Sequence, residues 1–209
     1  MRTMKDAEAR KHEILDVAEA LFVAKGYDNT TIGDMLAVMG IARGTLYYHY
    51  RSKEEVLDGI IARRGEVGVA AAQAIADDEA MSVWEKLLRI MLAQKPGDAQ
   101  QAQLVTALED AGNAQMFQKS LTEMVLHLAP VLGRVIAQGN AEGTLRAAFP
   151  LESAEVLLAA AHALFDNGAL RRTPEEMQAK TVAFLAIAER VLGVAEGALM
   201  QMMALFAGG

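Results

Sequence analysis

The 209-residue sequence contains no cysteine, only four prolines and a single tryptophan. The absence of cysteine excludes disulfides, thiolate metal sites and cysteine nucleophiles, and it is compatible with a reducing compartment, so we expect a cytoplasmic protein. The N-terminal residues carry charges without an apolar segment, which argues against a secretory signal. The uncharged run at residues 197–209 is too short to span a bilayer, so we expect no membrane partner.

Tyrosine and proline are unevenly distributed along the chain. All four tyrosines lie within residues 1–53 and all four prolines follow them, which indicates two regions, residues 1–53 and residues 54–209. The first region holds 8 Lys and Arg against 7 Asp and Glu, a net charge of +1; the second holds 12 against 20, a net charge of −8. An acidic chain is not an obvious nucleic-acid binder, so a DNA-binding surface would have to be small and local.

Helical spacing of apolar residues dominates the sequence, and no segment alternates convincingly between apolar and polar residues, which predicts an all-α fold. One apolar stripe runs from Ile14 to Phe22 and ends at Gly26. Further helices are expected near residues 80–94, 98–110, 115–141, 151–168 and 174–193, with a kink at Pro130 in the third of them.

Two short predicted helices follow the first long one. Thr31 and Asp34 fit a capping box that opens the first short helix, and Gly40 separates it from a second short helix that begins near Ala42. A second capping box, "SKEE", then opens a long helix at Ser52. This arrangement is typical of a helix-turn-helix, although it also occurs as an ordinary corner of a helical bundle.

The chemistry of the second short helix favours DNA binding over a simple corner. Gly44 allows a close approach of the backbone, the hydroxyl of Thr45 suits a phosphate, and the guanidinium of Arg43 suits guanine O6 and N7. Lys53 stands at the start of the next helix, where its charge and free backbone N–H groups suit a phosphate.

The stretch "TLYYHYRSKEEVL" places four ring-bearing side chains together at residues 47–50. Helical spacing predicts that Leu46, Tyr47 and Tyr50 face inward, while Tyr48 and His49 face outward within reach of DNA. The hydroxyl of Tyr47 is expected to reach a phosphate while its ring stays buried. We interpret the stretch as a recognition helix and its exit.

The stretches "ILDVAEALFVAKGYDNT" and "TTIGDMLAVMGIARGTLYYHYRSKEEVL" resemble the DNA-binding domain of the tetracycline-repressor (TetR) family over about residues 10–60. The resemblance implies a homodimeric repressor in which an N-terminal three-helix domain binds a double-stranded operator. A larger helical domain would dimerise and bind a small-molecule inducer that releases the DNA. The expected DNA-contacting residues are Thr31, Arg43, Gly44, Thr45, Tyr47, Tyr48, His49 and Lys53.

Three residues depart from the pattern of the family. Leu36 and Met39 stand where alanine is usual, which predicts a bulkier core between the short helices. Ala42 stands where serine usually caps the recognition helix, a loss of about 1 kcal/mol. These departures leave open a protein that binds an effector but has lost operator binding.

The larger region offers candidates for dimerisation and for an effector pocket. Two late helices, rich in small and apolar residues, suit a four-helix dimer interface, although the same residues also suit an intrachain core. The expected interface residues are Leu157, Leu158, Phe165, Val182 and Leu185. The expected pocket for a mainly apolar effector is lined by Met91, Met124, His127 and Phe165, which also suit a plain core.

Catalytic signatures are missing from the sequence. No local Ser-His-Asp arrangement, Gly-rich phosphate loop or metal-ligand spacing occurs, so we expect no catalytic residue, metal or cofactor. The classes that remain open are a DNA-binding regulator and a helical protein-interaction module. Only the first accounts for outward-facing Arg43, Tyr48, His49 and Lys53.

Overall fold

The computed structural model describes residues 4–94, 114–165 and 172–207. Every regular element within those ranges is helical, which confirms the all-α prediction. The helices are α1 (Met4–Lys25), α2 (Ile32–Met39), α3 (Arg43–His49), α4 (Lys53–Ala76), α5 (Val83–Ala93), α6 (Ala114–Glu123), α7 (Ala129–Ala141), α8 (Pro150–Phe165), α9 (Pro174–Leu192) and α10 (Ala198–Ala207). The predicted helix at 98–110 and the last residues of the one at 151–168 lie outside the described residues.

Local signals set the boundaries of the first helices as predicted. Gly26 has a φ of +82° and its N–H donates to the carbonyl of Phe22 at 2.9 Å, which ends α1. The capping box at α2 is complete, because the Asp34 N–H donates to the Thr31 hydroxyl while the Asp34 carboxylate accepts from the Thr31 N–H. Gly40, with a φ of +62°, ends α2 in the left-handed conformation and turns the chain toward α3.

The predicted capping box at the start of α4 is only half formed. The Ser52 hydroxyl accepts from the N–H of Glu55 at 3.1 Å, as in a capping box. The carboxylate of Glu55, however, accepts from the N–H of Arg51, one residue before the cap. Glu55 therefore fixes the chain between α3 and α4, in addition to starting the helix.

The chain divides into two compact units, and α4 contributes residues to both. Among the described residues, the first unit comprises 4–64 and 114–120, and the second comprises 65–94, 121–165 and 172–207. The sequence division expected after residue 53 falls earlier than the division in packing. The reason is that Val56, Leu57 and Ile60 of α4 are fully buried in the core of the first unit.

Ion pairs reinforce the packing of α1 on α4 in the first unit. The guanidinium of Arg63 contacts the carboxylates of Asp16 and Glu19, each at 2.7 Å. Arg64 contacts the same Glu19 at 3.1 Å. The core of the first unit contains Phe22, Met35 and other fully buried side chains, which come from α1, α2, α3 and α4.

The helix predicted at 115–141 is interrupted by a π-helical turn. Met124–Leu128 forms this turn, and Pro130 then occupies the first turn of α7. Proline lacks the N–H that a continuous α-helix would use here, so the chain widens into a π-turn where a simple kink was expected. By length and composition alone, Gln118–Ala141 is able to cross a membrane, but its α7 part supplies Val131, Val135 and Ile136 to the core of the second unit.

The second unit is built around α7, which packs against α5 and α8. Two buried charges are fixed at helix ends. Lys86 on α5 is 3% exposed, and its ammonium donates to the Ala76 carbonyl at the end of α4, at 2.8 Å, and to the Gln138 amide oxygen at 3.0 Å. Glu189 on α9 is also 3% exposed and accepts backbone N–H groups at the start of α10.

Candidate nucleic-acid interface

One face of α3 is buried and the opposite face is exposed. Leu46 and Tyr50, with 0% and 3% of their surface exposed, anchor the helix and its exit in the core of the first unit. On the other side, Arg43, Gly44, Tyr47 and Tyr48 are exposed. No side-chain or backbone atom of another element lies within 4 Å of where a Cβ on Gly44 would stand, in the part of the chain that is described. The backbone of α3 at Gly44 is therefore open to an approaching molecule.

Arg43 and Tyr47 form a pair on this surface. An Nη atom of Arg43 donates to the hydroxyl of Tyr47 at 3.3 Å, and the guanidinium carbon lies 5.4 Å from the centre of the tyrosine ring. The two residues are four apart in sequence, so they occupy the same helix face. The contact presents the guanidinium along the exposed side of α3 together with a phenol.

The prediction that Tyr47 faces inward is wrong. Its side chain is 39% exposed, whereas Tyr48 is 79% exposed, as expected for an outward residue. Leu46 is the residue that faces the core. Tyr47 is one residue further round the helix and therefore lies on the exposed face together with Arg43. Its hydroxyl is therefore presented on the exposed face, beside the guanidinium of Arg43.

His49 and Thr45 lie at the margins of the exposed face, and both are half-buried. The ring of His49 meets that of Tyr48 edge to face, with centroids 5.0 Å apart. The N–H of Thr45 donates to the carbonyl of Ala42 at 2.9 Å, but Ala42 supplies no side-chain cap to the helix. The first turn of α3 thus lacks the side-chain oxygen that a serine would provide.

Thr31 is exposed at the start of α2, but its hydroxyl is already engaged. It donates to the Asp34 carboxylate at 2.6 Å and accepts from the Asp34 N–H. Lys25 contacts the same carboxylate at 2.7 Å. Hydrogen bonds from Lys25 and Thr31 hold the pKa of the Asp34 carboxyl well below its usual range, so a carboxylate already occupies this helix start.

Lys53 does not project freely from the start of α4. Its ammonium donates to the Tyr27 carbonyl at 2.8 Å and to the Asp28 carbonyl at 3.4 Å. It also lies 4.1 Å from the centre of the Tyr27 ring. Sequence reasoning missed this contact because the partners are 26 and 25 positions away, with no local signal linking them.

The four residues predicted to line an effector pocket do not share one buried environment. Met91 is 41% exposed on α5, and the exposed ring of His127 faces the carboxylate of Glu123 at 3.4 Å. Met124 packs against the core of the second unit, and Phe165 meets Phe184 edge to face. A surface crevice elsewhere in that unit, lined by Trp84, Thr144, Arg146, Val194 and Ala198 among others, contains none of them.

The residues predicted for dimerisation divide between core and surface. Leu158 is 3% exposed and belongs to the core of the second unit, so it is not available to a partner. Val182 is 48% exposed, and Leu157, Phe165 and Leu185 are half-buried. Three exposed large apolar residues that sequence reasoning did not select lie on the same helices, Leu151 and Val156 on α8 and Ile187 on α9.

Two family models match the chain. Residues 14–60 match the model described as bacterial regulatory proteins, tetR family, and residues 98–187 match the tetracyclin repressor-like C-terminal domain. This chain belongs to the TetR family of transcriptional regulators. The first match covers the described helices from α1 into α4, including the exposed face of α3, and so agrees with the helix-turn-helix prediction.

Individual relatives are similar mainly over the same segment. The HTH-type transcriptional regulator SrpR of Pseudomonas putida is 35% identical over 63 residues, 30% of this chain and 30% of the relative. The HTH-type transcriptional repressor KstR2 of Mycobacterium tuberculosis is 37% identical over 60 residues, 29% of this chain and 30% of the relative. The chain therefore spans about 30% of the length of these curated relatives.

Solved structures extend the likeness of fold to nearly the whole chain. SmeT, the repressor of the Stenotrophomonas maltophilia multidrug efflux pump SmeDEF, superimposes with a TM-score of 0.64 and 20% identity, covering 90% of this chain and 91% of SmeT.

The described residues hold no group of three His, Asp or Glu side chains suited to a metal ion.

Proposed function

We propose that this chain is a sequence-specific DNA-binding transcriptional regulator, acting in the cytoplasm as a repressor that a small-molecule effector releases from its operator. The observation that carries the proposal is the exposed face of α3. It presents the guanidinium of Arg43 and the hydroxyl of Tyr47 beside Gly44, on a helix whose other face is anchored by Leu46 and Tyr50. Family membership supports a regulatory role over a catalytic one.

In this proposal each group on α3 has a distinct role at the duplex. Arg43 reads a guanine edge in the major groove, Tyr47 and Thr45 contact phosphates, and Gly44 lets the helix backbone come close. Tyr48, which is 79% exposed, packs against sugar or a thymine methyl. His49 supports Tyr48 through the edge-to-face contact between their rings.

The first experiment measures binding of the purified protein to duplex DNA taken from beside its own coding region. Two salt concentrations and an excess of random-sequence competitor separate specific from electrostatic binding. Binding that resists competitor, weakens with salt and uses two protomers or more per site supports the proposal. If random-sequence competitor abolishes the binding, the tested DNA does not contain an operator. Selection from a pool of random duplexes then decides whether the protein has any operator.

A second candidate function is effector binding without operator binding. It is favoured by one observation, the absence of a side-chain cap at Ala42, which leaves the first turn of α3 less stable than a serine cap would. Selection from random duplexes on the wild-type chain, with Ala42→Ser measured beside it, separates the two candidates. If the wild-type chain retains operator binding, the change strengthens an existing specific complex; if the wild type has lost it, selection recovers no DNA for the wild type.

The proposed homodimer pairs α8 and α9 of one protomer with those of a second copy. Exposed apolar side chains on both helices, Val156 and Val182 at 60% and 48%, suit such an interface. Val156→Glu and Val182→Glu are expected to shift the protein toward monomer in sedimentation velocity. Val67→Glu on α4, where Val67 is 70% exposed, is the matched control and should leave the assembly unchanged.

The proposed effector is mainly apolar and enters the second unit, where half-buried apolar side chains such as Met124 and Trp84 pack against the core. Met side chains adapt to irregular apolar ligands, which suits such a site. A thermal-shift screen with apolar compounds, followed by release of bound DNA, tests this part separately. A compound that stabilises the protein without releasing DNA would separate binding from regulation.

A further inference from the structure

The ammonium of Lys53 is held by the segment between α1 and α2. Its strongest contact is with the Tyr27 carbonyl at 2.8 Å, and a second carbonyl, that of Asp28, lies at 3.4 Å. The face of the Tyr27 ring lies on the same side, 4.1 Å from the nitrogen to the ring centre. Two carbonyl oxygens and the negative face of a ring are the groups that an ammonium prefers when no carboxylate is present.

The segment that Lys53 contacts is itself firmly anchored. Tyr27 is 8% exposed, and its ring meets Phe22 edge to face, with centroids 5.1 Å apart. Thr30 is 1% exposed; its N–H donates to the same Tyr27 carbonyl at 3.1 Å, and its hydroxyl donates to the Gly26 carbonyl at 2.8 Å. The Tyr27 carbonyl therefore accepts from both Thr30 and Lys53.

This segment leads directly into the helix-turn-helix. Thr30 is followed by Thr31, the N-cap of α2, and α2 leads through Gly40 to α3. Lys53 stands at the first residue of α4, immediately after the exit from α3. Its contact with Tyr27 thus joins the two ends of the chain segment that contains α2 and α3.

We propose that Lys53 is a positioning residue, which ties the start of α4 to the α1–α2 segment and so fixes the placement of α2 and α3, and that it is not a phosphate ligand. The effect of Lys53 on DNA affinity rests on the proposed DNA-binding function. Its role in fixing α2 and α3 does not, because the contact is present in the free protein. A side chain that binds a phosphate releases a counterion from the DNA and so steepens the dependence of the binding constant on salt. A positioning residue acts only on the geometry of the other contacts and leaves this salt dependence unchanged.

The first test uses the protein without DNA. Lys53→Met keeps an unbranched side chain of similar length and removes the charge and its hydrogen bonds. Amide hydrogen exchange in residues 26–31, followed at the Thr30 N–H, is expected to speed up by about tenfold, the loss corresponding to a charged hydrogen bond. Exchange in α1 around the fully buried Ile14 should not change.

Arg51→Met is the matched control for the loss of one positive charge. Arg51 is exposed two residues before Lys53, and its side chain has no hydrogen bond or ion pair within the part of the chain that is described. Exchange in residues 26–31 should be the same in this variant as in the wild type. Equal acceleration in both variants, or in neither, would overturn the positioning role.

The second test uses the duplex on which the wild type shows competitor-resistant binding. Lys53→Met is expected to lower specific affinity by about tenfold while the slope of log K against log salt stays at the wild-type value. A slope smaller in magnitude by about 0.9, the value for one phosphate contact, would show a direct ligand and overturn the proposal. Lys53→Arg, which can donate to both carbonyls, should restore the exchange protection and most of the affinity.

The two proposals fail in different ways. Absence of specific binding by the wild type contradicts the proposed function and leaves the exchange result to decide the role of Lys53. Specific binding by the wild type with unchanged exchange in Lys53→Met contradicts the positioning role alone.

Discussion

Gly59 on α4 faces Tyr50 so closely that a Cβ at residue 59 would lie 3.0 Å from the tyrosine hydroxyl oxygen and 3.0 Å from a side-chain carbon of Leu15. Both neighbours are 3% exposed and packed in the core of the first unit, so neither has space to move away. Gly65, further along the same helix, differs: within the described residues, no atom outside its own helix backbone and chain neighbours lies within 4 Å of the corresponding position.

The same substitution should therefore have opposite effects at these two positions. Gly59→Ala is expected to lower the free energy of unfolding by about 1 kcal/mol, because overpacking costs more than the gain in helix propensity. Gly65→Ala is expected to raise it by about 1 kcal/mol, since only the propensity term acts. Urea unfolding followed by circular dichroism measures both, and a shift of both variants in the same direction would contradict this account.

Tyr50 carries a buried hydroxyl that finds no hydrogen-bond partner in the described part of the chain. An unpaired buried hydroxyl costs about 1–3 kcal/mol, so Tyr50→Phe is expected to be neutral or stabilising by about 1 kcal/mol, although it deletes a polar group. Tyr48→Phe, at a residue that is 79% exposed, is the control and should leave stability unchanged. A clear loss of stability in Tyr50→Phe would indicate that the hydroxyl is bonded in solution.

The same tyrosine predicts a dependence on alkaline pH. Burial raises the pKa of Tyr50 from 10.0 to about 12. Because the pKa is higher in the folded state, the stability linked to this proton is fully present below pH 10 and is lost as the pH rises toward about 12. Tyr50→Phe removes this loss, so the variant should gain on the wild type as the pH rises through that window.

Asp34 predicts a dependence of the opposite kind, in acid. Its pKa is held well below the usual range, first by the hydrogen bond from Lys25 and then by those from Thr31. A depressed pKa stabilises the fold above the usual aspartate value, about 4, and this contribution is lost as the pH falls below it. Asp34→Asn should be less stable than the wild type at neutral pH and should lose less on acidification. Asp28→Asn, an exposed neighbour, serves as the control.

Features set by nearby residues were predictable from the sequence. The capping box of Thr31 and Asp34, the ends of helices at Gly26 and Gly40, and the identity of the exposed helix α3 all depend on residues within a few positions of one another. The family resemblance adds the domain type, because its motif falls on these same elements.

Features that depend on distant packing were not predictable in the same way. The burial of Tyr47 was misplaced by one position of helix rotation, and the hydrogen bond from Lys53 to a carbonyl 26 residues away has no signal in the sequence. Met91 and His127 were placed in a pocket because apolar helix faces look alike in sequence. Which face is covered is decided by the helices that pack against it, and both residues are exposed.

The pair formed by Arg43 and Tyr47 predicts a graded effect on DNA recognition. Arg43→Ala should reduce the affinity ratio between operator and random duplex by about tenfold or more, the value of one bidentate base contact. Tyr47→Phe keeps the ring beneath the guanidinium but loses the hydroxyl, so its effect on the ratio should be smaller. Arg89→Ala, an exposed cation of the second unit, controls for net charge. Competitive fluorescence anisotropy measures the ratio, and equal loss at Arg43 and Arg89 would contradict base reading.

Glu189 predicts how the last helix is fixed to the second unit. Its two carboxylate oxygens accept the N–H groups of Gly197 and Leu199, each at 2.9 Å, at the positive end of α10. Glu189→Gln replaces one acceptor with an NH2 group, which leaves a backbone N–H facing a donor and is expected to cost about 1–3 kcal/mol locally. Amide exchange at Gly197 and Leu199 should accelerate in this variant but not in Glu196→Gln, where an exposed neighbour is changed. Unchanged exchange in Glu189→Gln would mean that α10 is held by the packing of Leu199 alone, because that contact survives the substitution.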